Sequence, residues 1–218
     1  ALVAVEPAVA VVLVIGAGLL IRSFVKLLDV DPGFRTENVV TARVTPPESR
    51  YGAPGRQRAF YVDVLERVAA LPGVRSVDAV SQLPLVEGFN GTAFELEGQP
   101  YAPGAKPPLF DDRKVTPGYP RALGIPLLRG RALTDADREG APRVALVNET
   151  MARAFWPGED PVGKRFKEVW LNQWTTVVGV VGDVKSHGLA GKMEPEVYRP
   201  FRQTPVRDMS LIVRTGED

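Results

Sequence analysis

The sequence predicts an α+β fold carried on one N-terminal transmembrane helix. Three observations lead there. Residues 7–21 contain no charged side chain. Beyond them, short strand patterns and helical patterns mix without strict alternation, which favours α+β over a doubly wound sheet. Gly (21 residues) and Pro (20) exceed ordinary usage yet stay below the level of low-complexity chains, so the remainder is loop-rich but folded.

The apolar stretch approaches the roughly 20 residues needed to span a bilayer, provided Glu6 lies inside the helix or near its end. Val, Leu, Ile and Ala fill every face, and a helix apolar all round is buried in lipid or in a large core. A secretory signal peptide would open on basic residues and close on a small-residue cleavage site; here Arg22, Ser23 and Phe24 follow instead. The remainder has core-forming segments of its own, which weighs against a buried core helix. Residue 1 is Ala and not an initiator Met, so the sequence reads as a piece of a longer chain whose helix begins before residue 1. An ionisable residue within a membrane segment by default marks contact with a partner helix or water, and the alternative for Glu6 is a place near the headgroups. Gly16, Ala17 and Gly18 would admit a neighbouring helix closely. Arg22 and Lys26, taken alone, would put the following domain in the cytoplasm.

Residues 29–218 are enough for one large or two small domains. Pro32 and Gly33 turn the chain into a strand at 39–44, ended by Pro46 and Pro47. Over 55–71, Phe60, Val64, Leu65, Val68 and Leu71 recur at helical spacing, and Pro72 and Gly73 stop the helix. A second strand at 74–81 completes a strand, helix, strand unit, expected to pair its strands in parallel through a right-handed crossover. Half-buried alternation marks 92–96. A Pro-rich loop leads to a strand at 109–115 and a short helix near 119–123. Residues 125–133 carry a Gly130 break, and Thr134 with Asp137 resembles a helix cap. A buried strand at 144–147 enters a helix at 148–155. Thr175 to Val184 is the strongest strand pattern, and 197–200 and 210–213 supply the last two.

Composition excludes several functions. Basic residues number 27 and acidic ones 26, so no nucleic-acid surface of clustered charge is expected. With no Cys, disulfides, thiol catalysis and Cys-based metal sites are excluded. Gly158 to Lys164 satisfies the spacing of a phosphate-binding loop, but Arg165 stands where a hydroxyl must coordinate magnesium, and Glu159 and Asp160 would repel phosphate. A structural turn is the reading there. Asp135, Asp137, Glu139 and Gly140 resemble the start of a calcium loop, but Leu146 replaces its bidentate Glu. His187 is the sole histidine and reads as a loop residue beside Gly188. Asp111 and Asp112 are adjacent on a strand and point to opposite faces, so they form no catalytic pair. Ser81 and Ser186 lack a nucleophile context. Phe155, Trp156, Phe166, Trp170 and Trp174 either line an apolar groove or form core. No residue is assigned a catalytic, cofactor-binding or metal-ligating role.

The phrases GAGLLIRSF, DPGF with ENVVTARV, ALPGV, RALGIPLLRGRALTDAD, VALVNETMARAFWPGEDPVGKRF and TVVGVVGDVKSHGL, in this order and spacing, resemble the MacB-like permease family of ABC transporters, and within it the group of duplicated bacterial permeases. The resemblance implies a permease subunit: a membrane helix over 1–28, then an extracytoplasmic core domain over 29–218. That domain would have two α+β lobes, one over about 36–100 and 175–218, the other inserted at about 105–172. It implies residence in the bacterial inner membrane, with residues after about 28 in the periplasm or outside the cell, against what Arg22 and Lys26 alone suggest. It implies a separate ATPase domain or subunit, a second permease copy, and a periplasmic adaptor or outer-membrane partner. The domain would be no enzyme, but would relay ATPase-driven motion outward to extrude substrate. A membrane-tethered binding module or enzyme is the competing reading.

Overall fold

The computed structural model describes residues 2–86, 88–99, 101 and 106–216, with side chains from residue 9 onward. It falls into two units, Ala1–Pro32 and Gly33–Asp218. The first is a single helix, α1 (Leu2–Leu28).

The second unit opens with β1 (Val39–Val44), a helical turn α2 (Glu48–Tyr51), the helix α3 (Pro54–Ala69) and β2 (Val74–Val80). Pro54 starts α3 where a missing N–H costs nothing, and Gly73, at a φ of 80°, turns the chain back after it. The strand, helix, strand unit is present, but its two strands are not neighbours. The last strand of the chain, β10 (Met209–Thr215), lies between them and pairs antiparallel with both. A crossover rule describes how a unit turns, and it cannot foresee a strand arriving from more than a hundred residues away to take the central place.

The middle of the unit contains β3 (Gly91–Leu96), β4 (Leu109–Val115), α4 (Tyr119–Ala122), β5 (Leu127–Gly130), β6 (Val144–Asn148), α5 (Glu149–Phe155), β7 (Arg165–Glu168), β8 (Thr175–Val181) and β9 (Glu196–Pro200). Asn148 caps α5 by accepting from Met151 N at 2.9 Å, and the same oxygen accepts from Glu196 N at 3.0 Å. One side chain thereby ends a strand, starts a helix and ties β6 to β9. No helix follows Thr134. There the Asp137 carboxylate accepts from Thr134 N at 2.8 Å across a turn, because Gly140 at a φ of 82° bends the chain away before a helix can form.

Among the described residues ten strands form one sheet, and part of it closes on itself. β4 pairs with β3, β3 with β7, β7 with β8, β8 with β6, β6 with β9, and β9 in parallel with β4 again. These six strands make a small barrel, with β5 added outside β8. Registers agree around the ring, so Phe94, Leu96, Phe110, Ala145, Val147, Phe166, Val177 and Val197 all face inward and form one buried cluster. Phe94 stacks on Phe110 at 5.4 Å and meets Phe166 edge-on at 5.0 Å. Within the ring, closure leaves no free strand edge, while β1 and β5 remain edge strands.

Beside the barrel, α3 packs on β2 and β10 over a separate cluster of Tyr61, Ala79, Phe201, Met209 and Leu211. Tyr61 is fully buried, and burial pushes its hydroxyl pKa up to about 12. The hydroxyl lies 2.6 Å from Arg207 O and 2.8 Å from Val44 O, and accepts from Met209 N at 3.0 Å. Tyr61→Phe strands those backbone groups, so a loss of about 1–3 kcal/mol is expected in urea unfolding. A loss below about 0.5 kcal/mol would mean that water replaces the hydroxyl there.

Candidate functional site

In the first unit, Val9–Leu28 is a 20-residue window of mean hydropathy 2.2 with none of it buried, long and apolar enough to cross a membrane. A hypothetical Cβ on Gly16 or Gly18 would meet nothing within 4 Å, so this stretch presents a smooth, open backbone. Glu6 lies outside the residues whose side chains are described.

In the second unit, the distinctive chemistry lies on β4, where Asp111, Asp112, Arg113 and Lys114 are consecutive and all buried. Strand alternation sends them to two faces. Asp112 and Lys114 point into the barrel with Thr92, Glu168 and Arg199. Asp112 accepts from Arg199 Nε at 2.9 Å, from Lys114 Nζ at 2.9 Å and from Thr92 Oγ1 at 3.1 Å. The second arm of Arg199 reaches Glu168, and its guanidinium lies 5.6 Å from the centre of the Phe94 ring. Burial alone would raise the Asp112 carboxyl, but the Arg199 and Lys114 charges outweigh it and hold it below its ordinary value. The barrel is thus aromatic and aliphatic along one part of its interior and plugged by an ionic cluster along the other.

Asp111 and Arg113 point outward, beneath the 182–195 loop. Arg113 Nη2 lies 2.6 Å from Asp111 Oδ2 and 3.6 Å from Glu196 Oε1. His187 Nε2 lies 3.1 Å from Asp111 Oδ2, and the Tyr198 hydroxyl donates to Glu196 Oε2. Burial pushes the Glu196 carboxyl up, against the pull of Arg113. Burial likewise raises the hydroxyls of Tyr119 and Tyr198, both of which are buried here.

The other sequence candidates separate. Gly158 and Gly163 take φ values of 77° and 90° in a turn, and Lys164 is paired with Glu159, as a structural turn requires. Asp137 pairs with Arg131 at 2.8 Å, Asp135 with Arg202 at 3.4 Å, and Glu139 with Arg58. Three arginines thus take up the acids of the calcium-like run. Of the five aromatics, Trp156 and Phe166 are buried and Phe155 packs against the same cluster. Trp170 is 65% exposed. Trp174 is half-buried beneath Lys167 and Arg165, at 4.8 and 5.6 Å from its ring centre. They do not come together as one groove. His187 is a loop residue, as its setting beside Gly188 suggests, but it meets Asp111 and Glu196, which the sequence separates from it by 76 and 9 positions and so could not join to it.

One helix long and apolar enough to cross a membrane, followed by a mixed α/β domain, is the arrangement of a membrane-anchored domain. Solved structures share the fold. The periplasmic region of MacB from Actinobacillus actinomycetemcomitans is similar with a TM-score of 0.57 at 18% identity, over 88% of this chain and 81% of that one. The extracellular domain of the noncanonic ABC-type transporter YknZ from Gram-positive bacteria is similar with a TM-score of 0.53 at 16% identity, over 83% of this chain and 84% of that one. No curated protein matches the chain closely enough to count as a relative. The family model of the MacB-like periplasmic core domain matches residues 8–218, and the chain belongs to that family. It is a periplasmic-type domain of an ABC transporter permease, the family expected from the sequence phrases.

Proposed function

We propose that this chain is the first membrane helix and extracytoplasmic domain of an ABC permease subunit, and that it carries ATPase-driven motion across the membrane to extrude substrate on the outer side. The observation that carries this reading is the direct succession, inside one family match, of an unburied spanning helix and a domain stiffened by barrel closure. A body that transmits displacement must not absorb it. Closed pairing and a buried ionic plug both oppose internal yielding.

In this reading the helix lies in the bacterial inner membrane and residues after about 28 lie in the periplasm or outside the cell. ATP is hydrolysed on a separate domain or subunit at the cytoplasmic face. A second permease copy and a periplasmic adaptor or outer-membrane partner complete the assembly, with lipid around α1. The outer domain works as two lobes, about 36–100 with 175–218 and about 105–172, that share one continuous sheet. The cluster beneath α3 draws all its residues from the first of these spans, which supports a core of its own there, while the barrel core is built by both spans together.

The test uses the absence of native Cys. In cells making the whole permease with its ATPase, Gln173→Cys is placed on an exposed turn and Asp29→Cys just after α1. An impermeant maleimide is expected to label Gln173→Cys in intact cells. Labelling only after lysis would overturn the topology. The labelling rate at Asp29→Cys is expected to change when vanadate traps the ATPase, and equal rates in every nucleotide state would remove the mechanical role.

A further inference from the structure

On the outer face of the barrel, among the described residues, Asp111, His187 and Glu196 each offer one ligand atom, and these atoms lie within 4.8 Å of one another. Two of the three are buried, Asp111 at 0% and Glu196 at 1% exposure, while His187 keeps a partly open side chain. Charge there is unbalanced, since two carboxylates face one guanidinium, that of Arg113. Several buried polar atoms around the site also make no hydrogen bond: Glu196 Oε1, Ser186 Oγ, Arg113 Nε and Tyr119 Oη. Glu196 Oε1 is the oxygen to which Tyr198 does not donate, and its neighbours are the Arg113 guanidinium at 3.6 Å and the Ser186 hydroxyl. Buried polar atoms are nearly always satisfied, so the unmatched carboxylate oxygen Glu196 Oε1 leaves a place for a cationic partner.

We propose that Asp111, His187 and Glu196 form a binding site for a single first-row divalent cation of the zinc type. One imidazole and two carboxylates suit zinc and its neighbours, whereas magnesium and calcium favour all-oxygen shells. In a tetrahedral shell, bonds of about 2.0–2.2 Å hold ligand atoms about 3.3–3.6 Å apart, so these atoms would draw in by about 1 Å on binding. The cation would take up Glu196 Oε1 and offset the excess negative charge, with Arg113 remaining as an outer partner of Asp111. A cleft of about 420 Å³ lined by Leu85, Phe89, His187 and Gly188 opens beside the imidazole and provides an entry path. Because His187 lies within the 182–195 loop while Asp111 and Glu196 sit on the paired strands β4 and β9, occupancy would clamp that loop to the barrel wall.

The test takes the full chain in detergent, stripped with chelator, and adds zinc by calorimetry and cobalt by visible absorption. One equivalent is expected to bind. His187→Ala and Glu196→Gln should each weaken binding about tenfold or more, while Glu139→Gln, at a remote exposed acid, should leave it unchanged. As the chain has one histidine, its single imidazole resonance must shift on zinc and broaden on cobalt. If Glu196→Gln fails to fold, His187→Ala, in an exposed loop, still decides the matter. Substoichiometric binding, unchanged affinity in His187→Ala, or an unmoved imidazole signal would each overturn the site. In that event a proton held by Glu196 would be what balances the charge.

Discussion

Asp112→Ala is expected to destabilise the domain by about 3–5 kcal/mol, because it leaves Lys114 buried without its ion-pair partner and Arg199 with only Glu168. Arg199 and Lys114 both end on this carboxylate, and their side chains are only 6% and 11% exposed. Glu168 still holds one arm of Arg199, so the cost falls mainly on the Nε edge and on Lys114. A domain of this size has about 5–15 kcal/mol in total, so the variant would unfold at a markedly lower urea concentration. The control is a charge-free replacement: Asp112→Leu with Arg199→Met, Lys114→Met and Glu168→Gln should recover most of the loss, since a buried ionic cluster contributes little net stability over well-packed apolar residues. A single-variant loss under about 1 kcal/mol would mean that water reaches the barrel interior and solvates the stranded cations.

This cluster also marks where sequence reading stops. Alternation along residues 109–115 placed Asp111 and Asp112 on opposite faces, and they are on opposite faces. That both faces are buried followed from nothing local. It depends on β9, whose residues 196–200 pair with 111–115 in parallel from about 85 positions away. Burial by barrel closure is a property of the ring of pairings and leaves no period in any one strand. β7 was not expected for a related reason. Its four residues, Arg165 to Glu168, carry three charges, and Glu168 and Lys167 look solvated until Arg199 and Trp174 are seen beside them. Elements governed by their own spacing and stops were legible almost to the residue, as at β1, α3, β4 and α5. The N-terminal apolar helix was legible because uniform apolarity over a fixed length is a purely local condition. His187 lacked any such signal, since a single imidazole gains meaning only from carboxylates that long-range pairing brings beneath it.

Gly130→Ala should be comparably damaging, and a second glycine separates its causes. Gly130 has a φ of 72°, in the left-handed region, where an L-residue costs about 1–2 kcal/mol. Gly158 has nearly the same φ, 77°, and a Cβ built there meets nothing within 4 Å. At Gly130 the same atom would lie 2.2 Å from Val178 O and 2.8 Å from Gly179 Cα, both backbone atoms of β8. Neither can rotate aside, so β5 must lift from the strand it pairs with. Gly158→Ala is therefore expected to cost only the conformational term, about 1–2 kcal/mol. Gly130→Ala should cost more than about 3 kcal/mol in the same urea series, adding the loss of β5 pairing and of the Arg131 N bond to Val178 O at 2.9 Å. Equal losses at the two positions would show that β5 is displaced without cost, and that the barrel closes stably without its outer strand.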